Sequence, residues 1–524
     1  MMTPEGAADD VEVLVVGAGP TGLMLANWLV KLGVPVAVID GKDGPTVESR
    51  ALGVHSRSME IYDQLGVVDG VLAEAQHAES LRQGYGRKAF TPIPLTRLGQ
   101  GLTPYPGMYM LEQSANERIL AANLQATGGS VRWRHRLATL EQHDGAVSAV
   151  VEGPAGTSTI RARFAVGCDG ASSAVRSLCG TPFEGTTSRQ SFYLVDALGV
   201  RGLSPASVNI RQGATEFLLA FPMRPAEDGR SGQRLIGIAG DDTPPITEDV
   251  ARRRLAEGFG VTYEDHRWFS TYRVHHRIAA RFRTGSVFLA GDAAHVHSPV
   301  GAQGMNTGLQ DAHNLAFKLA DVVAARAPES LLDRYEAERR PVAVRLLRTT
   351  DTVFRGVTSR RRTAVLVRRY VPQVVLPVAM AVLPRLPVGR RLAGYLGQLR
   401  IHYRMPGSPP GRRRDAVVGR RLPWTGENFA ALRTAVWQLH LYAGDDAAAR
   451  LAGVVAGELG LPLSTFATTG STPLEAGVLY LVRPDGFVAA AATPAKALPA
   501  FDAARRASPT TGSPAHPAET KGLP

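Results

Sequence analysis

The sequence predicts an α/β protein with three parts: an N-terminal Rossmann-like parallel sheet, an antiparallel sheet inserted into it, and a small separate α/β unit near the C-terminus. Three observations carry this. A glycine-rich turn, Gly17-Ala18-Gly19-Pro20-Thr21-Gly22, joins an apolar strand to a helical pattern close to the N-terminus. Residues 181–280 are rich in strand patterns and lose the βα alternation. The cluster Gly407-Ser408-Pro409-Pro410-Gly411 reads as a linker, and a fresh mixed pattern follows it.

Composition bounds the reading before any element is placed. A chain of 524 residues has room for several domains of about 100–200 residues each. Hydrophobic residues at 44% and charged residues at 20% are ordinary globular usage, which excludes a disordered chain. Cys168 and Cys179 cannot form a disulfide framework or a Cys-based metal site, and a reducing cytoplasm fits them. The acidic, polar opening at 1–10 lacks the features of a signal peptide, and no apolar run is long enough to predict a membrane span.

In chain order, residues 11–16 form a buried strand, Leu23, Leu25, Ala26, Leu29 and Leu32 mark a helix face, and 34–39 form a second buried strand. This is a βαβ unit. Gly17 allows the tight turn, Gly19 lets a pyrophosphate approach the backbone, and Gly22 with Ala26 lets helix and sheet pack closely. The helix start, with Pro20 and Thr21, offers free N–H groups and a partial positive charge to phosphates. Asp40 ends the second strand, where it can accept a hydrogen bond from a ribose hydroxyl. Further strands are predicted at 164–168, 191–200, 208–210, 216–221, 235–239 and 287–290, and helices at 116–126, 249–257, 305–324 and 330–348. Near the end, the turn Arg483-Pro484-Asp485-Gly486 between apolar runs predicts a β-hairpin, and the Ser/Pro/Thr-rich tail 507–524 predicts disorder.

Two more motifs place carboxylates at strand ends, where open α/β sheets bind ligands. One is Cys168-Asp169-Gly170-Ala171-Ser172-Ser173-Ala174-Val175-Arg176; the other is Ala290-Gly291-Asp292-Ala293-Ala294-His295. With the glycine turn, they resemble the FAD-dependent aromatic hydroxylases of the p-hydroxybenzoate hydroxylase fold, the class A flavoprotein monooxygenases, over residues 11–345. Leu481-Val482-Arg483-Pro484-Asp485-Gly486-Phe487-Val488 resembles the thioredoxin-like C-terminal domain of the subgroup acting on phenols, aromatic polyketides and related antibiotics. No cysteine follows Cys179, so such a domain here is structural and has no dithiol chemistry.

The resemblance implies an FAD domain at 1–75, 105–180 and 281–350, a substrate domain at 76–104 and 181–280, a basic helical segment at 351–408 and a thioredoxin-like domain at 409–506. It implies that Asp292 bonds the FAD ribityl chain, that Asp169 and Arg176 serve both FAD and the passing nicotinamide nucleotide, and that Arg50 and Gln113 contact FAD. The stretch Pro299-Val300-Gly301-Ala302-Gln303-Gly304-Met305-Asn306 would bring a helix N-terminus to the anionic edge of reduced flavin. It also implies NADPH or NADH as co-substrate, O2 as oxidant, and hydroxylation of an aromatic or polyketide substrate through a flavin C4a-hydroperoxide. No protein side chain is assigned to the chemistry itself. Phe217, Phe221 and Pro222 are candidate lining of the substrate site. An FAD-dependent reductase or Baeyer–Villiger-type oxygenase on the same scaffold is the alternative.

Other classes are disfavoured on the residues. His295 and His297 lack a third ligand at zinc spacing, so no metal site is expected. No closely spaced cysteine pair lies in or just after the first βαβ unit, against disulfide reductases. Residues 351–420 hold fifteen Arg against Asp351 and Asp415, essentially the whole +12 charge of the chain. No motif or aromatic interleaving accompanies them, so nucleic acid is not expected, and the segment reads as solvated helices or a docking face for an anionic partner. A monomer or homodimer is compatible with all of this.

Overall fold

The computed structural model describes residues 9–47, 49, 51–213, 216–240, 246–297, 303–358, 393–405 and 417–506. Strand β1 (Asp9–Val16) lies mid-sheet because Val13, Leu14 and Val15 are wholly buried, as strands covered on both faces must be. It pairs in parallel with β2 (Val36–Asp40) on one side and with Gly156–Gly167 on the other. Val131–Trp133 extends the parallel sheet beyond β2, and Val287–Leu289 extends it at the opposite edge. An antiparallel meander of Arg136–His143 and Ala146–Gly153 lies along the first half of Gly156–Gly167. Helix α1 (Pro20–Lys31) packs between the helices Gln113–Ala126 and Gly304–Val323. The second crossing is close because of glycine: a Cβ on Gly308 would stand 2.3 Å from Thr21 Oγ1, and one on Gly291 would stand 2.4 Å from it.

The second sheet runs in the order His295–Val296, Asp265–Ala279, Phe183–Leu198, Gly232–Gly240, Phe217–Met223, Ser207–Gln212, Ser80–Tyr85, Lys88–Ala89. Its central strands are antiparallel, and Ser80–Tyr85 joins it parallel to Ser207–Gln212. Alternation along its strands divides two cores. Phe192, Leu194, Phe217, Leu219, Phe221, Ile236 and Ile238 form one core with Leu52, Ala78, Leu95 and Met110, while Leu218, Ala220 and Leu235 pack under the helix Glu248–Phe259.

A third sheet, Leu463–Phe466, Gln438–Tyr442, Leu479–Val482, Val488–Ala492, carries the helices Asp446–Leu459 and Pro494–Arg506. Its last two strands form a hairpin closed by Arg483–Gly486, in which Gly486 N–H donates to Arg483 O at 2.9 Å. That turn is sunk into the rest of the molecule by a buried ionic seam. Arg483 donates to both oxygens of Glu338 at 2.6 and 2.9 Å and to Asp485; Lys318 and Arg334 reach the same Glu338 at 3.0 and 3.2 Å. Arg57 bonds Glu60 at 2.9 Å and Asp485 O at 2.7 Å, and Arg421 completes the group on Glu60 at 3.0 Å.

Several expectations from the sequence shift. The predicted strand at 191–200 is part of the longer Phe183–Leu198, and the helix predicted at 330–348 is Asp333–Thr358, preceded by a 3-10 turn at Glu329–Leu332. The helix Ser56–Leu65 and the strands Asp265–Ala279, Arg136–His143 and Ala146–Gly153 were not predicted. Consequently His275 and His276 lie within a strand, paired opposite Thr187 and Thr186. Of the basic segment only residues 351–358 and 393–405 are described; the rest of it up to 416, the linker 407–411 and the tail 507–524 lie outside the described residues. Among the described residues, no helix is long and apolar enough to cross a membrane.

Candidate active site

A cavity of about 810 Å³ opens along the C-terminal ends of β1, β2 and Gly156–Gly167 and continues to the inserted sheet. Its lining joins Gly17, Gly19, Pro20 and Thr21 to Asp40, Gln113, Asp169, Asp292, Gly304 and Met305. Gly17 sits at φ +103°, and a Cβ there would meet Cys168 O at 2.5 Å, so only glycine fits the turn. A Cβ on Gly19 would meet no atom of the described residues within 4 Å, so the backbone there faces open space. No side chain caps α1, which begins with Pro20 directly after Gly19, and Gly19, Pro20 and Thr21 line the cavity, where the uncapped start of the helix can receive an anion.

Asp40 is anchored from both sides: Ala18 N–H donates to Oδ2 at 2.6 Å and Lys42 N–H to Oδ1 at 2.8 Å. A carboxylate has about four acceptor positions, so two remain for a ligand hydroxyl. Beside it the sequence reading missed Glu117. This buried carboxylate accepts from Thr46 N–H at 2.7 Å, Lys42 Nζ at 3.1 Å and Gln113 Nε2 at 2.9 Å. Gln113 in turn accepts from Ala51 N–H at 3.2 Å, so one turn of helix fixes the segment that leads into the cavity. The signal was available, since Gln113 and Glu117 stand four apart on one helical face.

Asp169 accepts from Val175 N–H at 3.1 Å through Oδ2, while Oδ1 is buried without a hydrogen-bond partner among the described residues. Burial pushes its carboxyl up from the ordinary value, against hydrogen bonds from Ser173 and Val175 that hold it down. An orphaned carboxylate oxygen on a cavity wall needs a donor, and a ribityl or nucleotide hydroxyl is one. Arg176 is turned away: it donates to Ala293 O at 2.9 Å and Ala171 O at 2.8 Å and stacks 3.8 Å from Phe183, tying the two carboxylate motifs together. Asp292 is exposed at the cavity rim in a 3-10 turn, Gly291–Ala293.

The helix Gly304–Val323 also starts without a side-chain cap, and Gln303, Gly304 and Met305 face the cavity. Asn306 is buried beneath them. Its Oδ1 accepts from His55 N–H at 2.8 Å and Ser58 Oγ at 2.7 Å, and its Nδ2 donates to Gly53 O at 2.8 Å. His295 is held by Asp311 at 2.7 Å, and Asp311 is also bound by Arg339 at 2.6 Å, which keeps its carboxyl below the usual range. Of the expected substrate lining, Phe221 reaches the cavity and Phe217 shares its face farther along the strand; Pro222, one residue on, points with Leu218 and Ala220 to the other face. Arg50, Pro299 and Gly301 lie outside the described residues. Gly22 is in the helix packing, where a Cβ would fall 1.8 Å from Gly17 O.

Open space over Gly19, two uncapped helix starts, an anchored Asp40 and an orphaned Asp169 fit an extended dinucleotide whose phosphates lie between them. Comparison with known proteins agrees: residues 10–350 match the family described as FAD binding domain. The chain belongs to this family. The flavoprotein is 36% identical to 6-methylpretetramide 4-monooxygenase of Streptomyces rimosus, over 86% of this chain and 82% of the relative. It resembles the solved anhydrotetracycline hydroxylase OxyS of Streptomyces rimosus with TM-score 0.71 and 32% identity, covering 94% of this chain and 98% of that one. It also resembles aklavinone-11 hydroxylase, solved with FAD and aklavinone, with TM-score 0.73 and 26% identity over 96% and 99% of the two chains. The protein is an FAD-dependent monooxygenase.

Proposed function

We propose that this flavoprotein hydroxylates a planar aromatic, polyketide-type molecule of the kind used in bacterial antibiotic pathways, consuming NADPH or NADH. The observation that carries the reading is the wall where the FAD cavity meets the inserted sheet. Phe221 and Ile236 line it there, and the same apolar face continues through Phe217, Leu219, Phe192 and Leu194. A flat, apolar face beside a cofactor cavity suits a fused-ring substrate. The names of the relatives support the same class.

When bound, FAD supplies electron transfer from the nicotinamide nucleotide and activation of O2 for insertion of one oxygen atom. The residues of this chain would hold it: Gly17, Gly19 and Thr21 at the phosphates, Asp40 and Glu117 with Lys42 at the ribose end, Asp169 and Asp292 along the chain, and the start of Gly304–Val323 at the flavin. Arg50, Pro299 and Gly301 belong to the same set on the family pattern. The uncapped helix start stabilises negative charge beside it by about 0.3–2 kcal/mol. The inserted sheet and Leu52 exclude water from the reacting end.

The third sheet supports a thioredoxin-like C-terminal unit: parallel Gln438–Tyr442 and Leu463–Phe466 linked by a helix, then an antiparallel hairpin and a closing helix. Without cysteines it serves as a structural buttress. The test of the function is to incubate the FAD-loaded protein with NADPH, ¹⁸O2 and a panel of anthraquinones, anhydrotetracycline and simple phenols, and to weigh the products. One ¹⁸O on a ring carbon is expected; ¹⁸O within a new ester would mark Baeyer–Villiger chemistry, and NADPH-dependent reduction without ¹⁸O would mark a reductase.

A further inference from the structure

The strand register places four side chains in one row across the inserted sheet. Phe221 pairs with Arg234, Arg234 with Asp196, and Asp196 with Trp268. Arg234 is 1% exposed and lines the FAD cavity beside Phe221 and Ile236. Its Nε and Nη2 are both taken by Asp196, each at 2.7 Å, a bidentate pair that fixes the plane of the guanidinium. The third nitrogen, Nη1, is buried and has no hydrogen-bond partner among the described residues. A charged donor left without an acceptor at an otherwise apolar wall is costly unless a ligand supplies the acceptor.

We propose that Arg234 is the substrate-orienting group of this cavity, its free Nη1 receiving an ionised phenolic or enolic oxygen of the aromatic ring. The proposal rests on the aromatic-substrate reading above and adds which form of the substrate is held, and by what. The Arg234–Asp196 pair carries no net charge, so it offers a directed N–H rather than a positive field. That suits a delocalised phenolate better than a phosphate. Phe221 lines the cavity beside Arg234 with a flat surface on which a planar ring can lie, and Trp268, 5.9 Å from the guanidinium, packs on it from the Asp196 side. An ionised ring is also the more electron-rich partner for an incoming electrophilic oxygen. The other charged or titratable groups near the site are Glu112 and Arg267, 4.0 Å apart, Tyr272 on the same sheet, and His297 and Asp292 across the cavity.

The test uses alizarin, a hydroxyanthraquinone whose visible band moves when its phenol ionises, with anhydrotetracycline as second probe, each titrated against pH into the FAD-loaded protein. The bound dye is expected to ionise about one pH unit or more below the free dye, equivalent to tenfold tighter binding of the anion than of the neutral form. Arg234→Met should abolish that displacement and weaken binding of the anion about tenfold, leaving binding of the neutral dye nearly unchanged, and Arg234→Lys should restore part of it. Arg234→Met leaves Asp196 buried and unpaired, so the double variant Arg234→Met/Asp196→Leu, which removes both charges, is measured beside it. The wild-type titration decides even if neither variant folds. A bound dye that ionises at the pH of the free dye, or a displacement that survives Arg234→Met, overturns the proposal while leaving the aromatic reading intact. Failure of both probes to bind the wild type overturns the proposal together with that reading.

Discussion

Gly19 and Gly22 occupy the same turn, yet a methyl group added to each would act at different places. On Gly22 it would strike Gly17 O at 1.8 Å, within the protein itself. Gly22→Ala should therefore lower the stability of the FAD-free protein by about 1–3 kcal/mol or more, read as thermal unfolding. On Gly19 the methyl meets no atom of the described residues within 4 Å, so Gly19→Ala should leave that unfolding curve within about 0.5 kcal/mol of wild type. It should nevertheless weaken FAD binding, followed by quenching of flavin fluorescence, because the methyl fills the space where a pyrophosphate must approach. Asp169 gives a second contrast. Its carboxyl is raised by burial, so the folded protein binds a proton more readily than the unfolded chain. Its contribution is therefore favourable at acid pH and is lost as pH rises through the raised value. Asp169→Asn should stabilise the FAD-free protein above that pH and flatten this part of its pH–stability curve, while weakening FAD binding; a wild-type-like pH dependence would contradict the assignment.

At the scale of elements, Asn306 joins the start of the helix Gly304–Val323 to the segment 53–58 through three hydrogen bonds. Asn306→Ala would leave His55 N–H and Gly53 O without that partner in a buried place, a loss of about 1–3 kcal/mol per unsatisfied group. A lower midpoint in urea together with lower FAD content after purification is the expected result. The elements legible in the sequence were those whose order is local. β1, α1 and β2 announce themselves because the glycine turn, the apolar run and the helical spacing are contiguous. Asp265–Ala279 escaped because its alternating apolar side, Trp268, Tyr272, Val274 and Ile278, is broken by Ser270 and His276, and only Val274 and Ala279 along the strand are buried. The helix Ser56–Leu65 escaped for the opposite reason: Arg57, Glu60, Asp63 and Gln64 are polar yet buried, their partners coming from hundreds of residues away. The same holds in the site. The glycines and strand-end carboxylates could be read from motifs, whereas Arg234 acquires meaning only when the sheet sets it beside Asp196.

For the whole molecule, the decisive feature is the seam that binds the third sheet to the FAD domain. Glu338 is held well below the usual carboxylate range by Arg483, Lys318 and Arg334 despite complete burial. Removing it with Glu338→Ala would leave three buried cations facing one another, and a loss of about 3–5 kcal/mol is expected, with faster proteolysis of residues 417–506. Lys318 is the surplus cation of the group. Burial lowers its ammonium to about 8, below the unfolded value, so the charged form costs stability and that cost fades as pH rises above 8. Lys318→Met should unfold at or above the wild-type temperature near neutrality, with the advantage shrinking in alkaline buffer. The seam also governs how such proteins can be recombined. The turn Arg483–Gly486 is keyed to Arg57, on the helix that follows the Asn306 clamp, and to Glu338, on the helix that also carries Arg339. A foreign C-terminal unit would thus seat only if it brought its own partners for Arg57, Glu60 and Glu338, a lock that must match a key already cut.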